Sequence, residues 1–163
     1  MLIEKGTSIL LFRYSNFKKV SFISAHQEML ENNKFVWMLK IGRRSSIQKL
    51  NEIEEFGGWM ILRAPKSDGG KNYIVHFSEF TETNPESNYP FYYEEIIRDN
   101  VDNESFYNPN ATYQWFKLTS INELPENDAN NLVIATSGKK VNDVIGKTRT
   151  AVMFVKNNTP IKI

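Results

Sequence analysis

The sequence predicts an α+β fold: a small curved sheet or open β-barrel of about six strands with two or three flanking helices. Three observations predict it. Short apolar runs recur along the chain, each closed by Gly, Pro, Asn, Asp or Ser. Only two or three stretches carry helical periodicity. Those stretches do not alternate regularly with the apolar runs, which argues against a doubly wound parallel sheet. A chain of 163 residues can bury a real core and is read as a single domain over 1–163.

The elements follow in order. Residues 8–14, Ser-Ile-Leu-Leu-Phe-Arg-Tyr, read as a buried first strand. Residues 20–32 read as a helix, because Phe22, Ala25, His26 and Met29 recur at i, i+3, i+4 and i+7, and Asn32-Asn33 stops it. Residues 35–41 are a second strand. Ser45 and Gln48 fit a capping box for a helix carrying Ile47, Leu50, Ile53 and Phe56, which Gly57-Gly58 ends. Residues 59–64 and 72–80 form a hairpin around the glycine-rich turn Pro65-Lys-Ser-Asp-Gly-Gly-Lys71. Pro90 opens a short helix through Phe91, Tyr92, Tyr93, Ile96 and Ile97. Residues 98–110 read as a polar loop. Residues 111–118 are a strand, Asn122 to Pro125 begins a connector, 132–136 is a short apolar strand turned by Ser137-Gly138, and 150–156 is the last strand.

Composition narrows the chemistry. The absence of cysteine removes disulfides, zinc–thiolate sites and cysteine nucleophiles together. No apolar run approaches the ~18 residues of a membrane span, and Met1-Leu-Ile-Glu-Lys-Gly has no basic leader, so a cytoplasmic home is expected. Net charge is +1, yet it is segregated: residues 1–72 hold 12 Lys/Arg against 7 Asp/Glu, residues 73–131 hold 2 against 11, and residues 132–163 hold 6 against 1. Such a chain either has a positive and a negative face, or interleaves its segments in space and cancels them.

Binding chemistry concentrates after the second strand. Lys40, Gly42, Arg43, Arg44, Ser45 and Ser46 put cations, flexible backbone and free helix-start N–H groups at one point, which suits a phosphate. Arg63, Lys66, Lys71, Lys139 and Lys140 are further basic candidates. Most aromatic residues should be core, but Tyr89-Pro-Phe-Tyr-Tyr93 holds too many rings for one short helix to bury, leaving one or two to stack on a flat ligand. Trp59, at the mouth of its strand, is a lid on the core or a cage wall.

Catalysis has little support. His26 sits within an apolar helix face and His76 within a strand, and neither has metal-site spacing around it. Ser137-Gly-Lys-Lys140 lacks the upstream glycine of a P-loop, and no serine elbow is present. No cofactor and no metal ligand is assigned. Two other classes stay open: a protein-interaction module using the acidic segment from Glu79 to Asp128, or a small metal-dependent hydrolase or nuclease using Glu79, Glu94, Glu95 or Asp99.

The order of motifs resembles the PUA-like group, above all its YTH and EVE branches. Trp37-Met-Leu-Lys40, Gly58-Trp-Met-Ile-Leu62, Asn72-Tyr-Ile-Val-His-Phe77, Trp115-Phe-Lys-Leu118 with Leu124-Pro125, and Gly138-Lys-Lys140 carry the resemblance, over residues 35–156. Residues 1–33, a strand–helix extension, have no counterpart in it. The resemblance implies a nucleic-acid reader that holds a flipped, possibly methylated base in an aromatic pocket, here Trp37, Trp59, Tyr92 and Tyr93. It implies DNA or RNA as partner, with Lys40 and Ser137-Gly-Lys-Lys140 matching positions near the ligand; joined to the basic residues read above, the contact set is Lys40, Arg43, Arg44, Ser45, Arg63, Lys139 and Lys140. It also implies a place as the specificity domain of a modification-dependent restriction or defence system with an effector nuclease or NTPase.

Overall fold

The computed structural model describes residues 1–40, 44–102, 113–148 and 150–163, with the backbone alone for 99–102. The fold is α+β. Its elements are β1 (Leu2–Ile3), β2 (Ser8–Arg13), α1 (Phe22–Asn33), β3 (Val36–Lys40), α2 (Ile47–Glu55), β4 (Trp59–Arg63), β5 (Asn72–Thr81), α3 (Tyr92–Asp102), β6 (Gln114–Leu124), α4 (Glu126–Ala129), β7 (Leu132–Ile134), α5 (Val141–Val144), β8 (Val152–Asn157) and β9 (Ile161–Lys162). Seven strands form one open sheet in the order β3-β6-β5-β4-β2-β8-β7, and β1 pairs with β9. Among the described residues no barrel closes. Each apolar run read as a strand is a strand of this sheet. The two-residue strands β1 and β9 and the four-residue helices α4 and α5 are too short to show a period.

Two features were not foreseen, and one expected boundary is corrected. The segment 1–33, set apart as an extension, supplies β2, which lies between β4 and β8. The β2–β4 pair is parallel, with Arg13 opposite Arg63 in register. The third helix runs on to Asp102, where a loop had been expected from residue 98. Asp and Asn disfavour a helix only weakly, so a run of them does not by itself end one.

The chain folds as two compact units: residues 1–15, 47–76 and 121–163, and residues 16–46 and 77–120. In the first unit, strand register puts Ile9, Leu11 and Arg13 of β2, Trp59, Ile61 and Arg63 of β4, Asn72 and Ile74 of β5, and Met153 and Val155 of β8 on one face. The apolar members of that face form a core with Leu124, Ala129, Leu132, Val141 and Ile145. On the opposite face Leu10, Met60, Leu62 and Val75 are buried, and α2 packs against β2 with Leu50 and Ile53 inward. Burial on both faces explains why β2 and β4 are unbroken apolar runs. Asn157, 1% exposed, clips the N-terminal loop. Its Nδ2 donates to the carbonyls of Glu4 (2.8 Å) and Thr159 (3.0 Å), and its Oδ1 accepts from the Thr7 N–H (2.9 Å).

Gly57 ends α2 with φ 121°, and a Cβ there would lie 2.8 Å from Trp59 Nε1. Gly57→Ala therefore combines left-handed backbone strain with a clash against a buried ring. An expected loss of about 1–3 kcal/mol in urea unfolding would check this.

In the second unit, β3 pairs with β6 so that Val36, Met38 and Lys40 meet Leu118, Phe116 and Gln114, while Trp37 and Leu39 meet Lys117 and Trp115 on the other face. Helix α1 starts on Ser21, whose hydroxyl accepts from the Ser24 N–H, and closes on Lys34 at φ 67°, whose N–H reaches the Leu30 carbonyl. It packs against β3 and buries Phe22, Ile23 and His26.

Candidate anion-binding cleft

The strand-to-helix junction is built differently from the phosphate site expected there. Lys40 ends β3 at 1% exposure, and its Nζ donates to Gln114 Oε1 at 3.2 Å. The same oxygen accepts from the Ser45 N–H (2.9 Å), and Gln114 Nε2 donates to the Ser45 carbonyl (3.0 Å). Ser45 is therefore buried and clamped by a carboxamide. It does not cap α2, which starts at Ile47. Arg44 donates twice to Glu82, from Nε (2.7 Å) and Nη2 (2.8 Å). Ile41, Gly42 and Arg43 lie outside the described residues. The described cations of the junction thus face protein groups.

Burial lowers the Lys40 pKa from 10.5 to about 8. The unfolded chain then holds a proton that the folded chain releases across that window, so stability rises with pH from about 8 towards 10. Above pH 10 the buried tyrosines reverse the trend. Burial raises the pKa values of Tyr14, Tyr92 and Tyr93, with Tyr92 at about 12, so the unfolded state ionises first. Lys40→Met should abolish the alkaline rise in urea-unfolding free energy and lose no stability at pH 7.

The aromatic candidates divide. Trp37, Tyr92 and Tyr93 do gather in one cluster, with Leu39, Tyr89, Tyr113 and Trp115. Tyr93 (2% exposed) and Trp115 (fully buried) are its core, and Trp37 and Tyr92 are half-buried at its margin. Tyr92 stacks on Phe17 with centroids 5.3 Å apart. Trp59 belongs to the core of the first unit, its ring edge-on to His76 at 5.1 Å. The exposed ring of the Tyr89–Tyr93 segment is Phe91, at 82%. Lys139 and Lys140 are exposed in the β7–α5 turn, where Gly138 takes φ 72°.

Charge interleaves rather than forming two opposed faces at three places. Within their respective units Lys18 pairs with Glu95, Arg44 with Glu82 and Lys71 with Glu123, each joining the basic first segment to the acidic middle. Lys117 also reaches Glu79. Among the described residues no three His, Asp or Glu side chains gather into a metal-binding group. The side chain of Asp99 lies outside the described residues.

Arg63 stands apart from this cancellation. It ends β4 half-buried, makes no ion pair among the described residues, and lies in register with Arg13 on the neighbouring parallel strand. Burial, and then the like charge of Arg13, lower its pKa. Arg13 is itself held by Nη1 donating to the Thr148 carbonyl at 2.7 Å. Arg63 opens on a cleft of about 680 Å³ in the first unit. Its lining includes Arg63, Lys66, Gly70 and Lys71 from the β4–β5 hairpin, the carboxylates Glu123 and Glu126, and the apolar Leu124, Ala129 and Ile145. A Cβ on Gly70 would sit 3.6 Å from Arg63 Nη2, so the bare turn backbone lies directly beside the guanidinium. Arg13 does not line the cleft, but its charge acts on Arg63 across the strand pair, and an anion held by Arg63 relieves that repulsion.

Arg13 was missed in the sequence, though the signal is visible. Ile-Leu-Leu-Phe-Arg13 and Met-Ile-Leu-Arg63 are two buried strands that each end in arginine. Comparison of the chain with protein-family models, with curated proteins and with solved structures found no match. Among the described residues no helix is long and apolar enough to cross a membrane.

Proposed function

We propose that the chain is a nucleic-acid-binding module of the PUA-like kind, holding a strand phosphate at the Arg63 cleft and serving as the specificity domain of a modification-dependent defence system. The observation that carries the reading is Arg63: half-buried, beside Arg13, without a carboxylate partner among the described residues, and open to a cleft. Lys66 adds a second cation to the cleft lining. The α+β sheet with helices beside it is compatible with the PUA-like pattern. For base contact the half-buried rings Trp37 and Tyr92 are the better candidates, because Trp59 and Tyr93 are committed to cores. The test is binding of fluorescent single- and double-stranded oligonucleotides, with and without base methylation, by the native chain and by Arg63→Glu. Unchanged affinity in the variant would remove the phosphate assignment.

A further inference from the structure

Resting on that anionic-ligand reading, we infer that the cleft receives a terminal phosphomonoester of one nucleotide, either a free mononucleotide or the phosphorylated end of a strand. Three observations point there. The first is charge. Arg63 lines the cleft with Lys66, has Arg13 beside it on the neighbouring strand, and has no acidic partner among the described residues. A phosphomonoester brings about −1.5 to −2 charges to such a site, against a single charge on a phosphodiester. Arg63 and Lys66, the cleft's cations without an ion-pair partner among the described residues, therefore favour the more highly charged monoester.

The second is the carboxylates. Glu123 and Glu126 line the same cleft as the cations, and Glu123 is already paired with Lys71. A strand running through would bring its next phosphate against these carboxylates, a like-charge contact that costs affinity. Glu126 there can instead accept hydrogen bonds from sugar hydroxyls, Glu123 being paired with Lys71. Asn142 and Asn130, joined by an Nδ2–H to Oδ1 bond of 2.6 Å, offer further amide groups at that edge. The third is size and floor. About 680 Å³ is the volume of a small-ligand site, and Leu124, Ala129 and Ile145 supply an apolar surface within it. Cations, hydrogen-bonding side chains and apolar surface are the three kinds of group that a nucleotide's phosphate, sugar and base engage.

The experiment is competition anisotropy with one oligonucleotide sequence in four forms: 5′-phosphorylated, 3′-phosphorylated, hydroxyl at both ends, and circular. Free nucleoside monophosphates and inorganic phosphate serve as competitors. A phosphorylated end should bind at least about tenfold tighter than the hydroxyl-ended form. Nucleoside monophosphates should compete, and Arg63→Met should erase the difference. Lys66→Glu, a change on the exposed turn, should weaken the same preference without burdening the fold. Mononucleotide binding without binding of any oligonucleotide would support this inference and overturn the strand reading. Equal affinity for circular and phosphorylated forms, still dependent on Arg63, would overturn this inference and leave the strand reading intact. No binding of either class would overturn both.

Discussion

Acidifying the protein from pH 7 to pH 4 is expected to remove about 3 kcal/mol of stability through one side chain, His26. The imidazole is fully buried on α1. Its Nδ1–H donates to the Phe22 carbonyl at 2.7 Å, and its Nε2 accepts from the Tyr93 hydroxyl at 2.7 Å. One donor and one acceptor are what a neutral imidazole supplies, so both ring nitrogens are satisfied without a proton to spare. Burial lowers the pKa from 6.5 to about 4, against a smaller raising effect of the Phe22 hydrogen bond. The sign follows directly. Between pH 6.5 and 4 the unfolded chain binds a proton that the folded chain refuses, so stability is full above about pH 6.5 and falls as pH drops. Urea unfolding at intervals across that window should show the fall. His26→Gln should flatten the slope there even if it lowers stability throughout. A native profile flat between about pH 4.5 and 6.5 would contradict the burial of a neutral His26.

Reversing the charge of Arg63 is expected to cut oligonucleotide affinity by two to three orders of magnitude. A charge-assisted hydrogen bond is worth about 1.5–3 kcal/mol, and a carboxylate facing the phosphate adds repulsion, giving about 3–4 kcal/mol in all. The slope of log affinity against log salt should shrink by about one for the lost phosphate contact. Stability should not follow affinity. In Arg63→Glu the new carboxylate would lie in register with Arg13 and replace a like-charge pair by an opposite one, so the unfolding midpoint of the variant is expected to hold or rise. Arg44→Glu makes the same change in net charge, but its native partner is Glu82. It should leave affinity within a few-fold and lower stability modestly, as exposed pairs do.

The sheet was legible because its information is local. Buried strands such as Ile9–Phe12 and Met60–Leu62 are apolar runs closed by turn residues, and the β4–β5 hairpin carries its glycine turn in the sequence. His26 was legible as structural, since its place on the apolar face of α1 left little else for it to do. The junction was not legible. That Lys40 is buried depends on the β3–β6 register, which sets it opposite Gln114 across 74 residues of chain. That Arg44 is occupied depends on Glu82, and the charge segregation along the chain gave no hint of which partners would meet. Segregation in sequence is what allowed such long-range pairs to form and cancel. Residue-type counting therefore over-read the Lys40–Ser45 cluster and under-read Arg13. Tyr93 and Trp59 became core because strand and helix faces bury large rings first, leaving the margins of the cluster to Trp37 and Tyr92.

Amide NMR of the native chain, titrated with a 5′-phosphorylated oligonucleotide, addresses the site directly. The signals of Gly69, Gly70 and Lys71, together with the Arg63 side-chain Nε–H, are expected to move saturably, while Gly138 and Lys139 stay fixed. Saturable shifts confined to Arg44, Ser45 and their neighbours, with the Gly69–Gly70 turn unmoved, would place the phosphate elsewhere and contradict the cleft.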